Sequence, residues 1–217
     1  MKNLKKRSLS LLLLLTMVVT LTGCNQFDAT AYIKACLDAN THGEFEEYAK
    51  ITNSDVDSIK TQYESLLDEE ISYLSAYKAT DEQKAKFREL FANIYKSFKY
   101  EVGEATKNSD GTYSVPVTTY KLMVFKDVMS EGETYITDYV TEQTEAGKSL
   151  TEEDLYPVII DFMYETMSKN FEAAEYGDAV SVDVTVGPMN GNSKVYGISQ
   201  TELQSLLENF IDLENAQ

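Results

Sequence analysis

The sequence predicts an α+β fold: a helix-rich single domain in which two β-hairpins form a roughly four-stranded antiparallel sheet packed against helices. Three observations predict it. Apolar residues recur at helical spacing from Ala29 to Phe98. They switch to alternation in two later stretches, Tyr113–Val117 and Val180–Val186. A helix-then-hairpin order occurs twice, at 81–125 and 152–198, and no Pro-, Gly- or Ser-rich linker divides the chain.

The first 28 residues read separately from the rest. Lys2, Lys5, Lys6 and Arg7 precede an apolar run from Leu9 to Leu21. A bilayer-spanning helix needs about 20 such residues, so this run is too short to span and suits the core of a secretory signal. It ends in Leu21-Thr22-Gly23-Cys24, which resembles the lipobox of bacterial lipoproteins. The resemblance implies a signal peptide over 1–23, cleavage before Cys24, and acyl chains on the Cys24 thiol. Residues 24–28 are then the lipidated N-terminus and a short tether, and 29–217 the extracytoplasmic α+β domain. Two or more acyl chains hold a protein stably on a membrane, at about 0.8 kcal/mol per buried methylene. A tether of a few extended residues reaches on the order of 10–15 Å, which keeps the domain close above the lipid.

The helical third comes next. Ala29–Thr41 is amphipathic and stops near His42-Gly43, and Glu44–Lys50 is a shorter helix. A third starts at Ser54, with Asp57 completing a cap, and carries the stripe Val56, Ile59, Tyr63, Leu66, Leu67, Ile71, Leu74, Tyr77. Asp81 opens a fourth, with Phe87, Leu90, Phe91, Ile94 and Phe98 on one face.

Lys99–Thr106 and Thr112–Phe125 read as strands joined at Ser109-Asp110-Gly111. Tyr113, Val115 and Val117 alternate, whereas Leu122 and Val124 fall on the opposite phase, so a bulge or twist is expected between Thr118 and Lys121. Pro116 suggests an edge strand, since it cannot donate to a ladder. Helix returns over Asp127–Ala146. Thr151 and Asp154 form a capping box, Leu150 can staple to Leu155, and Pro157 is expected to start the main helix, which Gly177 ends. Val180, Val182, Val184 and Val186 form a half-buried strand, leaving Ser181, Asp183 and Thr185 on a polar face. After a turn at 187–192, Ser193–Ile198 is its partner. Ser199 and Glu202 cap a last helix, stapled by Ile198 and Leu203, that turns Leu206, Leu207 and Phe210 inward.

Charge narrows the function. Loss of the leader removes four positive charges and no negative ones, taking the net charge from −17 to −21. So acidic a chain lacks the clustered Lys and Arg that nucleic acid requires, and it would not adhere electrostatically to anionic lipid. Of two cysteines only Cys36 remains once Cys24 is modified, and its helical setting predicts an inert core thiol.

Chemistry is sparse. His42 is the one histidine and sits at a helix end, where capping is its ordinary role. The sequence has no HExxH, no CxxC pair, no glycine-rich phosphate loop and no GxSxG, and no cofactor is implied. Asn53, Asp55, Asp57 and Glu64 match positions 1, 3, 5 and 12 of a calcium loop. However, Ser58 stands where the turn needs glycine, Lys60 where an apolar residue belongs, and the helical stripe from Val56 crosses the loop. Fifteen tyrosines offer flat faces with polar tips, suited to core packing first and to contact surfaces second.

"AYIKACLDANTHGEFEEYAKIT" and "FKYEVGEATKNSDGTYSVPV" resemble the corresponding segments of uncharacterised lipoproteins of Gram-positive bacteria. The opening is also similar to nuclear-transport-factor-2-like and cystatin-like folds, whose curved sheets often enclose a pocket. This chain departs from those by two helices between its hairpins. The expectation is a non-enzymatic surface lipoprotein, anchored through Cys24 to the outer face of the cytoplasmic membrane, that binds an envelope protein, a peptide or a small ligand. The alternatives are a carboxylate- or tyrosine-based enzyme or folding factor, and a small solute-binding lipoprotein of a transporter.

Overall fold

The computed structural model describes residues 19–20, 27–189 and 192–212. Among them the fold is α+β: seven helices and an antiparallel sheet. The helices are α1 (Ala29–Leu37), α2 (Glu46–Thr52), α3 (Val56–Ser72), α4 (Asp81–Lys96), α5 (Val128–Glu145), α6 (Glu152–Ala173) and α7 (Gln200–Leu207). The strands are β1 (Val19–Thr20), β2 (Lys99–Val102), β3 (Thr106–Lys107), β4 (Tyr113–Leu122), β5 (Tyr176–Met189) and β6 (Asn192–Gly197). Their order is β1-β6-β5-β4-β2, with β3 also on β4. The two predicted hairpins thus lie side by side through the β4–β5 ladder.

The predicted cores hold, with instructive exceptions at their ends. α1 continues into a wider π-type turn, Asp38–His42, closed by Gly43 in the left-handed region at φ 70°. α3 is capped by Asp55 and not by Ser54: the Asp55 carboxylate accepts from the Ser58 backbone N–H at 2.8 Å and from its hydroxyl at 2.9 Å. The carboxylate wins because a charged acceptor makes the stronger bond to free helix-start donors. α4 carries a full capping box between Thr80 and Gln83, and α6 the predicted one between Thr151 and Asp154.

Two expectations about proline and one about glycine are corrected. Pro157 does not start α6; the helix begins at Glu152 and runs through it. So near the N-terminus the ring removes one intrahelical bond, and the capping box already fixes the first turn. Pro116 is not on an edge strand; β4 pairs with β5 on one side and with β2 and β3 on the other. Its carbonyl accepts from Gly103 N–H at 2.8 Å, so its ring nitrogen points to that same side, where the chain bows out between β2 and β3. The ladder bond it cannot donate would have gone to the Gly103 carbonyl, which accepts instead from the Thr30 hydroxyl at 3.3 Å. Gly103 permits the approach: a Cβ would lie 3.1 Å from Pro116 Cγ. Gly177 lies inside β5, and Ala174 takes the left-handed cap at φ 50°.

The phase change in β4 occurs as expected. Tyr113, Val115, Val117 and Thr119 are buried, the register slips between Tyr120 and Leu122, and Leu122 is buried on the shifted phase. Val184 and Val186 are buried while Ser181, Asp183 and Thr185 are exposed. One face of the sheet therefore meets α1, α7 and the turn Glu208–Phe210, where Phe210 stacks on Phe98 at 5.0 Å and meets Tyr100 edge-on. Phe27, expected in the tether, is buried instead, stacked on Tyr196 at 4.9 Å and edge-on to Tyr113. Asp212 is fully buried and ties the segment after α7 to the end of β4: its N–H donates to the Leu122 carbonyl at 3.2 Å and its carboxylate accepts from Phe125 N–H at 2.9 Å.

α5 and α6 form an antiparallel arm. α6 packs on α4 and on the 3-10 turn Tyr73–Tyr77, whereas α5 packs chiefly on α6 and buries only Val128.

Candidate functional site

The concave spaces among the described residues include open grooves and a small crevice. The groove most suggestive of chemistry, about 530 Å³, contains the single histidine, with Lys34, Asp38, Tyr100 and Glu101. The π-type turn presents Asp38 and His42 toward β2. His42 Nε2 donates to the Phe98 carbonyl at 3.0 Å, its ring stacks on Tyr100 at 5.3 Å, and its Nδ1 faces the Tyr100 hydroxyl at 3.3 Å. That hydroxyl donates to Asp38, whose other oxygen accepts from Lys34 Nζ at 2.6 Å. Burial and the Asp38 carboxylate push the Tyr100 phenol well up. Lys34, Asp38, His42 and Tyr100 are bonded to one another or to backbone. The arrangement clamps the turn onto β2.

The open sheet face is polar and self-satisfied. Thr118 and Ser181 hydroxyls are 2.7 Å apart, Tyr120 donates to Glu101 at 3.2 Å, and the Lys99 ammonium sits 3.7 Å over the Tyr176 ring. Glu202, expected to complete a capping box, instead accepts from Thr185 N–H at 2.5 Å and joins α7 to β5. Ser199 alone caps α7.

The outer face of α5 differs. Ser130, Glu131, Thr134, Tyr135 and Asp138 recur at helical spacing and line, with Phe162 of α6, an open groove of about 510 Å³. Tyr135 is the one large apolar residue counted as exposed among those described, at 45%, and it stacks on Phe162 at 4.8 Å. Gly132 makes the stack possible, since a Cβ there would lie 3.1 Å from the Phe162 ring. Residues 128–173 carry eleven acids against Lys148 and Lys169, and α5 itself has five acids and no Lys or Arg.

The calcium-loop residues are drawn apart by helix formation. Asp55 caps α3, Asp57 and Glu64 lie within it, and Glu64 pairs with Arg88 of α4. Asn53 takes the left-handed position that ends α2, at φ 52°. Among the described residues no group of three or more His, Cys, Asp or Glu is placed to hold a metal ion. Cys36 is buried and its thiol is pushed up to about 12 by loss of solvent. Cys24, the candidate lipidation site, lies outside the described residues. No helix among those described is long and apolar enough to cross a membrane.

One polar cluster escaped the sequence. Glu70, on the inner side of α3, receives a hydrogen bond from the Tyr95 hydroxyl of α4. Its other oxygen, Oε1, and the Tyr63 hydroxyl are shielded from solvent without a partner. The signal was present: Glu70 follows Leu66 and Leu67 at i+4 and i+3 on the apolar stripe.

No protein-family model matches the chain, and no curated protein matches it. Its fold resembles the crystal structure of a "putative lipoprotein (ycdA)" from Bacillus subtilis, with a TM-score of 0.54 and 16% sequence identity. The match covers 85% of this chain and 56% of that one, so the chain spans little more than half of that protein's length.

Proposed function

We propose that the chain is a lipid-anchored protein of the cell envelope, held through Cys24 at the outer face of the cytoplasmic membrane. It binds a partner protein on an exposed surface and does not enclose a small molecule. The observation that carries the reading is the filled core. Among the described residues the crevice beside Tyr63 and Glu70 has room for about 20 Å³, far below the several hundred that a drug-sized ligand fills, and the spaces beside His42 and Tyr135 are open grooves. The lipoprotein description of the Bacillus subtilis structure and the lipobox support the anchor.

The α5 face is the docking surface this reading favours. Interfaces are anchored by aromatic residues in a polar rim, and Tyr135 on Phe162 between Glu131 and Asp138 supplies both. A cationic segment of the partner fits it: a Lys or Arg head can lie over an aromatic face and reach a carboxylate, and α5 offers no basic residue to compete. The sheet face is the weaker choice because its polar groups already bond one another.

The test is capture from solubilised membranes by the lipid-free form of the chain, beside the double variant Tyr135→Ala, Asp138→Lys. A protein retained by the wild type, released by raised salt and absent from the variant is the expected result. Equal capture by both would contradict the assignment of the surface. Tight uptake of a small molecule into the helical side would contradict the reading itself.

A further inference from the structure

We propose that the crevice between α3, α4 and α7 is a binding site for one ordered water and one proton, shared by the Glu70 carboxyl and the Tyr63 hydroxyl. Together they form a pH-sensitive latch between α3 and α4.

The geometry carries this independently of any partner. The crevice is lined by Tyr63, Leu66, Leu67 and Glu70 of α3, Tyr95 of α4, Leu207 of α7 and Asn40 of the π-type turn. Its volume of about 20 Å³ suits one water, which needs roughly 10–15 Å³ and two or more polar partners. Two such partners are present and otherwise unmet, since Glu70 Oε1 and Tyr63 Oη are solvent-shielded with nothing to bond. Leaving both unmet would cost about 1–3 kcal/mol each.

The state of the carboxyl follows from its surroundings. Tyr63 of α3, Tyr73 of the following turn and Tyr95 of α4 are the titratable groups that face it, and Glu64 and Arg88 stand beside Tyr63. The π-type turn and α7 contribute the uncharged Asn40 and Leu207. Arg88, the cation of the set, is held by Glu64 and by Asp68, the latter at 2.6 Å. Glu70 therefore has one phenolic donor, Tyr95, and no cation bonded to it. A carboxylate buried that way favours its neutral form, and loss of solvent raises Glu70 to about 8. As a neutral acid, Glu70 accepts from Tyr95 on one oxygen and donates its own proton to the water from the other. The water in turn donates to Tyr63.

The sign is fixed by linkage. The folded value lies above the ordinary carboxyl value, so the contribution is fully present below about pH 4.5 and falls as pH rises toward 8. Above that it is lost and flat. Ionisation leaves a buried charge against three phenols and loosens α3 from α4.

Thermal unfolding of the wild-type chain and of Glu70→Gln between pH 5 and 9 tests it, the difference removing the background of other carboxylates. The wild type should lose several degrees relative to E70Q as pH rises, levelling above 8. Parallel curves would overturn the proposal. Direct titration of the Glu70 carboxyl carbon by NMR in the wild type needs no variant: a midpoint above 6.5 supports the site, and one below 5 overturns it. A high-resolution crystal structure at pH 6 should show one water between Tyr63 and Glu70, and a dry crevice would contradict the water.

Discussion

Asp55 and Ser54 show how finely a single position decides. Both are capping residues by type, and the chain uses Asp55, whose carboxylate reaches two donors on Ser58. Asp55→Ala should therefore cost about 1 kcal/mol of stability in denaturant unfolding, and Ser54→Ala a fraction of that. The reverse ranking would show that the cap lies at Ser54. Cys36, buried and held protonated, should stay unmodified by thiol reagents until the domain unfolds; prompt labelling of the native chain would show its helix face open. At this scale the apolar residues were legible in the sequence because spacing places them. The polar ones were harder. Glu70 sits on an apolar stripe, yet whether an acid there is buried depends on Tyr63 and Tyr95, which contribute their hydroxyls from two turns away and from another helix. Phe27 reads as tether because nothing local reveals that Tyr113 and Tyr196, each more than eighty positions away, close around it.

Helices and strands were legible from their periods, and the neighbouring hairpins from their short connections. The phase flip in β4 was readable because a two-residue repeat cannot change face without an extra residue, and the slip between Tyr120 and Leu122 supplies it. Pro116 reads as an edge residue for a physical reason: the sequence shows a missing N–H but not which side of the strand it would face. β1 was hidden too, since its two residues lie in the expected leader. Val19 and Thr20 pair with Tyr196 and Val195, covering the outer edge of β6. Cleavage before Cys24 would remove that cover. Amide exchange over Val195–Tyr196 should then be faster in the processed chain than in the unprocessed Cys24→Ala chain, and equal protection would show that β1 does not guard the edge.

Across the whole molecule, the sheet and its covering helices form a filled core, and the charge is uneven. The α5–α6 arm concentrates acids around the exposed Tyr135, which stacks on Phe162, while Cys24, the proposed anchor, lies near the N-terminus of the sequence. The proposed docking face is not legible in the sequence, because Tyr135 reads as one apolar residue among several until α5 is seen to pack chiefly on α6. The most direct test of surface docking at the membrane is photo-crosslinking in intact cells, with Cys24 unchanged and a photoreactive residue at position 135 or at 181. The account predicts a crosslink to an envelope protein from 135, weakened when Glu131 and Asp138 are changed to Lys, and little from 181 on the sheet face. A crosslink from 181 alone, or none from either position, would contradict it.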